Sequence, residues 1–207
     1  MTAPAPAWPH LYREGSPGSP VLLMLHGTGG NEHDFAALAK SLDPSAAVLA
    51  PRGPVQERGM LRWFHRFAEG QFDVDDVVRR SGELAAFIAE ARAAYGLGDR
   101  RLIAIGFSNG ANIALATALL HPQSIDRVIA FSGMNPLPDR EVDTDLSGSR
   151  VLLLNGDSDP FAPLASAKRV VAVLAERGAE ARHVVRAGGH GIDESDLGAA
   201  LDWLAAP

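Results

Sequence analysis

A chain of 207 residues, 46% hydrophobic and 21% charged, is sized for one globular domain with a substantial core. Its 25 acidic against 19 basic residues leave a formal charge of −6 with no basic cluster, which speaks against nucleic acid and anionic membrane surfaces as partners. It contains no cysteine, so disulfides, cysteine metal sites and a cysteine nucleophile fall away together. The stretch Met1–Pro9 has neither the basic nor the apolar region of a signal peptide, and no run is apolar enough to span a membrane, so the expected location is cytoplasmic.

In chain order, short apolar runs alternate with helical patterns. Leu11–Glu14 fits an antiparallel strand leading into Val21–Leu25. Further strands are predicted at Ala46–Ala50, Leu102–Phe107, Arg127–Phe131, Val151–Asn155 and Arg182–Arg186. They are continuously apolar more than alternating, as strands buried on both faces are. Helices are predicted over 31–42, 74–95, 110–121, 164–178 and 194–205. The second carries Val74, Val77, Val78, Leu84, Phe87, Ile88 and Ala91 at helical spacing. The alternation predicts an α/β fold with a mostly parallel central sheet and helices on both faces. Residues 1–9 are expected to be loosely held, and 134–149 to form a surface loop. Regular elements occupy so much of the chain that no inserted cap domain is expected, and the whole reads as a single domain.

The most informative motif is Gly106-Phe107-Ser108-Asn109-Gly110, between a predicted strand and a predicted helix. A serine there, with glycine two residues before and two after, is the nucleophile-elbow pattern. The new helix begins beside Ser108 and presents free N–H groups to a reacting centre.

Ligands bind at the carboxyl ends of strands in such a sheet. Those ends carry His26-Gly27-Thr28-Gly29-Gly30, Pro51-Arg52-Gly53, Ser108, Asn155-Gly156-Asp157-Ser158-Asp159 and Gly188-Gly189-His190-Gly191. Serine, carboxylate, histidine and glycine loops together are what acyl transfer needs, and the order Ser, Asp, His suits this fold. Among the histidines, His190 is the base candidate, because it follows a late strand in a glycine loop. His26 reads as a support for its glycine loop, and His65 as a pocket-lining candidate. The acid is Asp157 or Asp159. Oxyanion donors are expected from the N–H groups of Asn109 and of the His26–Gly30 loop, with Thr28 the choice there. That loop lacks the lysine of a P-loop, and neither a metal nor an organic cofactor is expected.

Between residues 52 and 73 lie Trp63, Phe64, Phe67 and Phe72 among Arg52, Arg58, Arg62 and Arg66. Either the aromatics pack this segment onto the sheet with the arginines facing water, or they wall a short acyl pocket with a cationic rim. On the second reading Arg52, Trp63, Phe64 and His65 line the substrate pocket.

The segments 26–32 and 106–112, with Asp159 and His190, resemble the phospholipase/carboxylesterase family of α/β-hydrolases, which includes the acyl-protein thioesterases. Pro51-Arg52-Gly53, Arg62-Trp63-Phe64-His65-Arg66 and Glu69-Gly70-Gln71-Phe72-Asp73 look like a bacterial subgroup of carboxylesterases and hydroquinone-resistance hydrolases. The resemblance covers about residues 20–205. It implies Ser108 as nucleophile, Asp159 as acid, His190 as base, and Thr28 and Asn109 as oxyanion donors. Asn109 stands where thioesterase relatives usually have Gln, and Asn155-Gly156 where they have His-Gly; both departures bear on thioester specificity and leave the triad intact. The expected activity is hydrolysis of carboxylic esters through an acyl-enzyme on Ser108, with small or aryl esters preferred on the pocket reading of segment 52–73. Thioesterase or lysophospholipase activity is the alternative within catalysis, and a non-catalytic ligand-binding module the alternative outside it. The expected partner is a small-molecule ester, and a homodimer is left open.

Overall fold

The computed structural model describes residues 6–206. Its elements run β1 (His10–Arg13), β2 (Val21–Leu25), α1 (Ala36–Leu42), β3 (Ala47–Pro51), β4 (Val55–Glu57), β5 (Met60–Arg62), β6 (Arg66–Ala68), β7 (Gln71–Phe72) and α2 (Val74–Ala94). They continue with β8 (Leu102–Phe107), α3 (Asn109–Leu120), β9 (Arg127–Phe131), β10 (Arg150–Gly156), α4 (Leu164–Glu176), β11 (Glu180–Arg186) and α5 (Glu194–Ala205).

Seven strands form one sheet in the order β1-β3-β2-β8-β9-β10-β11. β1 is antiparallel to β3, and every other neighbouring pair is parallel. The strand order reverses between β2 and β8, so the crevice beyond their carboxyl ends is the topological switch point where α/β sheets bind ligands. The two sequence segments of greatest chemical interest, after β2 and after β8, meet there.

Burial explains the apolar strands. β2 and β3 are buried at every residue because helices cover both faces. One core layer holds α2, α3 and α4 against the sheet; the other holds α1 and α5. α3 is buried from Asn109 to Leu119, sandwiched between the sheet and α2, which is why its sequence is apolar all round. α2 starts at Asp73, whose side chain accepts from Asp76 N–H, and α5 opens with a reciprocal capping box between Asp193 and Asp196.

Three expectations change. The helix predicted over 31–42 begins only at Ala36. Ahead of it, the Asn31 side chain accepts from His33 N–H, and the Asp34 side chain from Asn31 N–H. Such local bonds offer the backbone an alternative to the helix. Segment 134–149 is irregular, as predicted, but not a surface loop. Met134, Leu137, Val142 and Leu146 are buried and join the core, while Asp139 and Arg140 are exposed. Within 1–9, residues 1–5 lie outside the described residues, and Trp8 is packed: its ring stacks on Phe87 at 5.5 Å.

The segment 52–73 folds as two hairpins, β4–β5 and β6–β7. Strands of two or three residues carry no readable periodicity.

Candidate active site

Ser108 sits between β8 and α3 with φ 53° and ψ −115°. A non-glycine residue in such a conformation costs roughly 1–3 kcal/mol and persists only where its surroundings over-determine it. Ser108 N–H is tied to the carbonyl of Phe131 at 2.9 Å, which anchors the turn to the end of β9. The flanking glycines are a packing requirement. A Cβ at Gly106 would lie 2.4 Å from the Gly110 carbonyl oxygen, and one at Gly110 would lie 2.0 Å from that of Leu25. Strand, helix and the end of β2 approach more closely than a methyl group permits.

His190 lies in the loop after β11, and its Nδ1 is 2.8 Å from Asp159 Oδ2. Asp159 is buried; its other oxygen accepts from the N–H groups of Phe161 and Ala162 at 2.8 and 3.1 Å. The carboxylate is therefore fixed from its own loop and points its free oxygen at the imidazole. Asp157 does something else: it is exposed, and its side chain accepts from Gly188 N–H at 3.0 Å. Of the two acids the sequence left open, only Asp159 reaches His190. The imidazole is flanked by the rings of Phe107 and Phe161, with centroids at 4.9 and 5.2 Å.

Two residues that the sequence did not single out hold this loop. Arg186 donates from Nε to Asp196 Oδ2 at 2.6 Å and from Nη2 to the carbonyls of Gly189 and Gly191. The hydroxyl of Ser132, itself at φ 50°, donates to Gly191 from the end of β9. Arg186 thus grips the residues on either side of His190, and Ser132 the one that follows it. An arginine closing a strand before a glycine loop, with Asp193 and Asp196 downstream, is the signal that was present in the sequence.

The loop after β2 faces Ser108. Gly29 and Gly30 N–H groups are spent on the carbonyls of Leu61 and Gly27, whereas Thr28 N–H makes no backbone hydrogen bond among the described residues. Asn109 is the first residue of α3, so its N–H has no acceptor within the helix. Its side chain accepts from Trp63 N–H at 2.7 Å. His26 anchors the loop from within: its Nε2 accepts from Gly53 N–H at 2.9 Å, which leaves Nδ1–H to donate to the Gly27 carbonyl at 2.7 Å. Burial pushes its pKa down, consistent with this neutral tautomer.

The pocket residues expected from segment 52–73 lie elsewhere. Trp63 and Phe64 are buried in the core, Trp63 donating from its indole to the His26 carbonyl at 2.8 Å. Arg52 makes a two-pronged ion pair with Glu32 at 2.7 and 2.5 Å, which holds the Glu32 carboxyl down to about 2. His65 is exposed, and its N–H donates to Asp76. The hairpins fold these aromatics inward because their indole and phenyl surfaces gain more against α2 and the sheet than at an open rim. In their place stand Arg62, Glu69, Phe72, Met134 and Phe161, which border a small cavity of about 20 Å³ beside Ser108 and Asn109. A second, open cavity of about 300 Å³ is shared by Ser108 and His190 and is walled by Met60, Phe107 and Phe161.

A larger cavity of about 680 Å³ lies near the opposite ends of the strands, between Pro20, Arg101 and Leu201. It touches none of the residues above. Among the described residues, no group of three or more His, Asp or Glu side chains is placed to hold a metal ion.

Residues 9–206 match a family model described as phospholipase/carboxylesterase. MhqD of Bacillus subtilis, named as a hydrolase, is 38% identical over 94% of this chain and 96% of its own. The crystal structure of a Bacillus cereus carboxylesterase superposes with a TM-score of 0.89 at 35% identity, covering 95% of this chain and 93% of that one. A carboxylesterase from Mesorhizobium loti gives 0.90 at 29% identity over the full length of both. With its seven-stranded, largely parallel sheet and a serine at the β8–α3 turn, this chain belongs to the phospholipase/carboxylesterase family of α/β-hydrolases.

Proposed function

We propose that this protein is a serine esterase that hydrolyses short-chain or aryl carboxylic esters through an acyl-enzyme on Ser108. The observation that carries the reading is the 2.8 Å contact of His190 with the buried Asp159, on a histidine that shares one cavity with Ser108. Asp159 fixes the imidazole with its proton on Nδ1, leaving Nε2 to accept the serine proton as Oγ adds to the ester carbonyl. The N–H groups of Thr28 and Asn109 receive the oxyanion. Collapse breaks the bond to the alcohol, which leaves with the proton from His190. Water then loses a proton to His190, attacks the acyl group and releases the acid, and Ser108 recovers its proton.

Asp159→Asn is expected to lower kcat by about 10⁴-fold by disturbing the tautomer, whereas Asp157→Asn leaves it within about threefold. A larger loss in Asp157→Asn than in Asp159→Asn would reverse the assignment of the acid.

The small cavity beside Ser108 supports short acyl groups, and the apolar walls at Met60 and Phe161 suit an aryl leaving group. Across p-nitrophenyl esters from acetate to palmitate, kcat/KM is expected to peak at or below butyrate. Each methylene is worth roughly 10–200-fold only until the pocket is full. A peak at palmitate would favour the lysophospholipase alternative. Failure of a fluorophosphonate to label Ser108 would favour a non-catalytic binding module.

A further inference from the structure

The small cavity beside Ser108 is bordered by a buried positive charge. Arg62 is 2% exposed, and burial pushes its pKa down. Its guanidinium is only partly engaged. Nη1 donates to Thr28 Oγ1 at 3.0 Å, and Nε lies 3.4 Å from the Phe64 carbonyl and 3.6 Å from Glu57. Among the described residues, Nη2 donates to no acceptor. Glu57 is shared with Arg66, which lies closer to it, at 3.3 Å. Glu69 also borders the cavity, but it is bound to Arg66. Arg62 thus faces two carboxylates, Glu57 and Glu69, and shares both with Arg66.

A second donor stands beside it. Asn109 Nδ2 is buried without a partner, on a residue whose Oδ1 is fixed by Trp63 N–H and which lines the same cavity. An unmade buried hydrogen bond costs about 1–3 kcal/mol, so Asn109 Nδ2 gains from any acceptor a ligand brings. The cavity's volume of about 20 Å³ holds one water-sized atom. A guanidinium, a free amide N–H₂ and room for one oxygen specify a negatively charged acceptor, with a carboxylate the planar match to arginine.

We infer that Arg62, with Asn109 Nδ2, selects esters whose short acyl chain ends in a carboxylate, that is, half-esters of small dicarboxylic acids. The carboxylate oxygen enters the small cavity and replaces the missing partner of Arg62. The ester carbonyl lies at Ser108, and the apolar alcohol occupies the wider cleft at Met60 and Phe161. This rests on the esterase reading above and names its substrate class. It also gives Arg62 a second effect, since its bond to Thr28 steadies the proposed oxyanion loop when the anion is bound.

The test compares 1-naphthyl hemisuccinate with 1-naphthyl valerate, a neutral ester of similar acyl length. The wild-type kcat/KM is expected to favour the hemisuccinate by about tenfold or more, the scale of one charged hydrogen bond. Arg62→Gln is expected to bring that ratio to about one and Arg62→Lys to leave it intermediate, because lysine keeps the charge and loses the planar fork. Using the ratio within each protein cancels any general loss of activity through Thr28. If Arg62→Gln does not fold, competitive inhibition of the wild type decides: succinamate, an amide whose chain ends in a carboxylate, should inhibit about tenfold more strongly than the neutral butyramide, and equal inhibition overturns the proposal. A wild-type ratio at or below one, or a ratio unchanged in Arg62→Gln, also overturns it while leaving the esterase reading standing. Hydrolysis of neither ester overturns the esterase reading itself, and this inference with it.

Discussion

Ser108→Ala is expected to lose on the order of 10⁴- to 10⁶-fold in kcat/KM while the protein folds normally. The substitution removes the attacking oxygen and nothing from the core. The turn is held by the Ser108 N–H bond to Phe131 and by the close approach at Gly106 and Gly110, none of which involves the hydroxyl. The circular dichroism spectrum and Tm should therefore stay near wild type. The check is turnover of p-nitrophenyl acetate by purified variant, with active-site titration to exclude wild-type contamination. His190→Ala should be about as damaging, because a nucleophile without its base gains little from being present. Near-native turnover by folded Ser108→Ala would end the acyl-enzyme mechanism.

Gly110→Ala is expected to be the most destabilising single-methyl change in the chain. Gly110 is the second residue of α3, where alanine would ordinarily help by about 1 kcal/mol. Here the added carbon would lie 2.0 Å from the Leu25 carbonyl and 2.5 Å from that of His26, both backbone atoms of the sheet and its loop. Neither can rotate away, so α3 must shift off β2, and a loss of about 3–5 kcal/mol should outweigh the helix propensity. A matched control exists in Gly198, within α5, where an added Cβ meets nothing within 4 Å. Gly198→Ala should be neutral or stabilising by up to about 1 kcal/mol. Urea denaturation of the two variants beside wild type reads the contrast directly. If Gly110→Ala unfolds at the wild-type midpoint, the glycines of the motif are not a packing requirement.

The strands and helices of the central layer were legible because each is long enough to carry its own pattern. β2, β8 and β9 are predicted residue for residue, and α5 matches over 194–205. Their apolar runs are dictated by burial on both faces, a local signal of a global fact. The Ser108 turn was legible for a related reason. Two glycines, a strand and a helix must coincide there for the backbone to pass, so steric necessity is written into five adjacent residues.

His190 was legible as a candidate from its glycine loop, but its partner was not settled by local reading. Asp157 and Asp159 differ by two positions in one turn, and each suits a strand end. The family resemblance pointed to Asp159, and the folded chain shows the physical difference: Asp157 accepts from Gly188 N–H, and Asp159 turns inward to the imidazole. Of the clamps on that loop, Ser132 was out of reach, because its partner Gly191 lies 59 residues away, whereas Arg186 finds Gly189, Gly191 and Asp196 within ten residues and left a local signal.

Segment 52–73 marks the limit. Its composition allowed an aromatic pocket or a packed flap, and the hairpin registers chose between them. They turn Trp63 and Phe64 into the core and carry Arg62 with them to the edge of the Ser108 cavity. In strands of three residues, which side chain faces in depends on a one-residue register, and that register is set by contacts with Gly29, Asn109 and α2 that no local pattern encodes. The sequence by itself determined the sheet, the elbow and the loops at the strand ends; tertiary packing decided how Asp159 reaches the histidine and which cation borders the cavity beside Ser108, because both depend on pairings between distant segments.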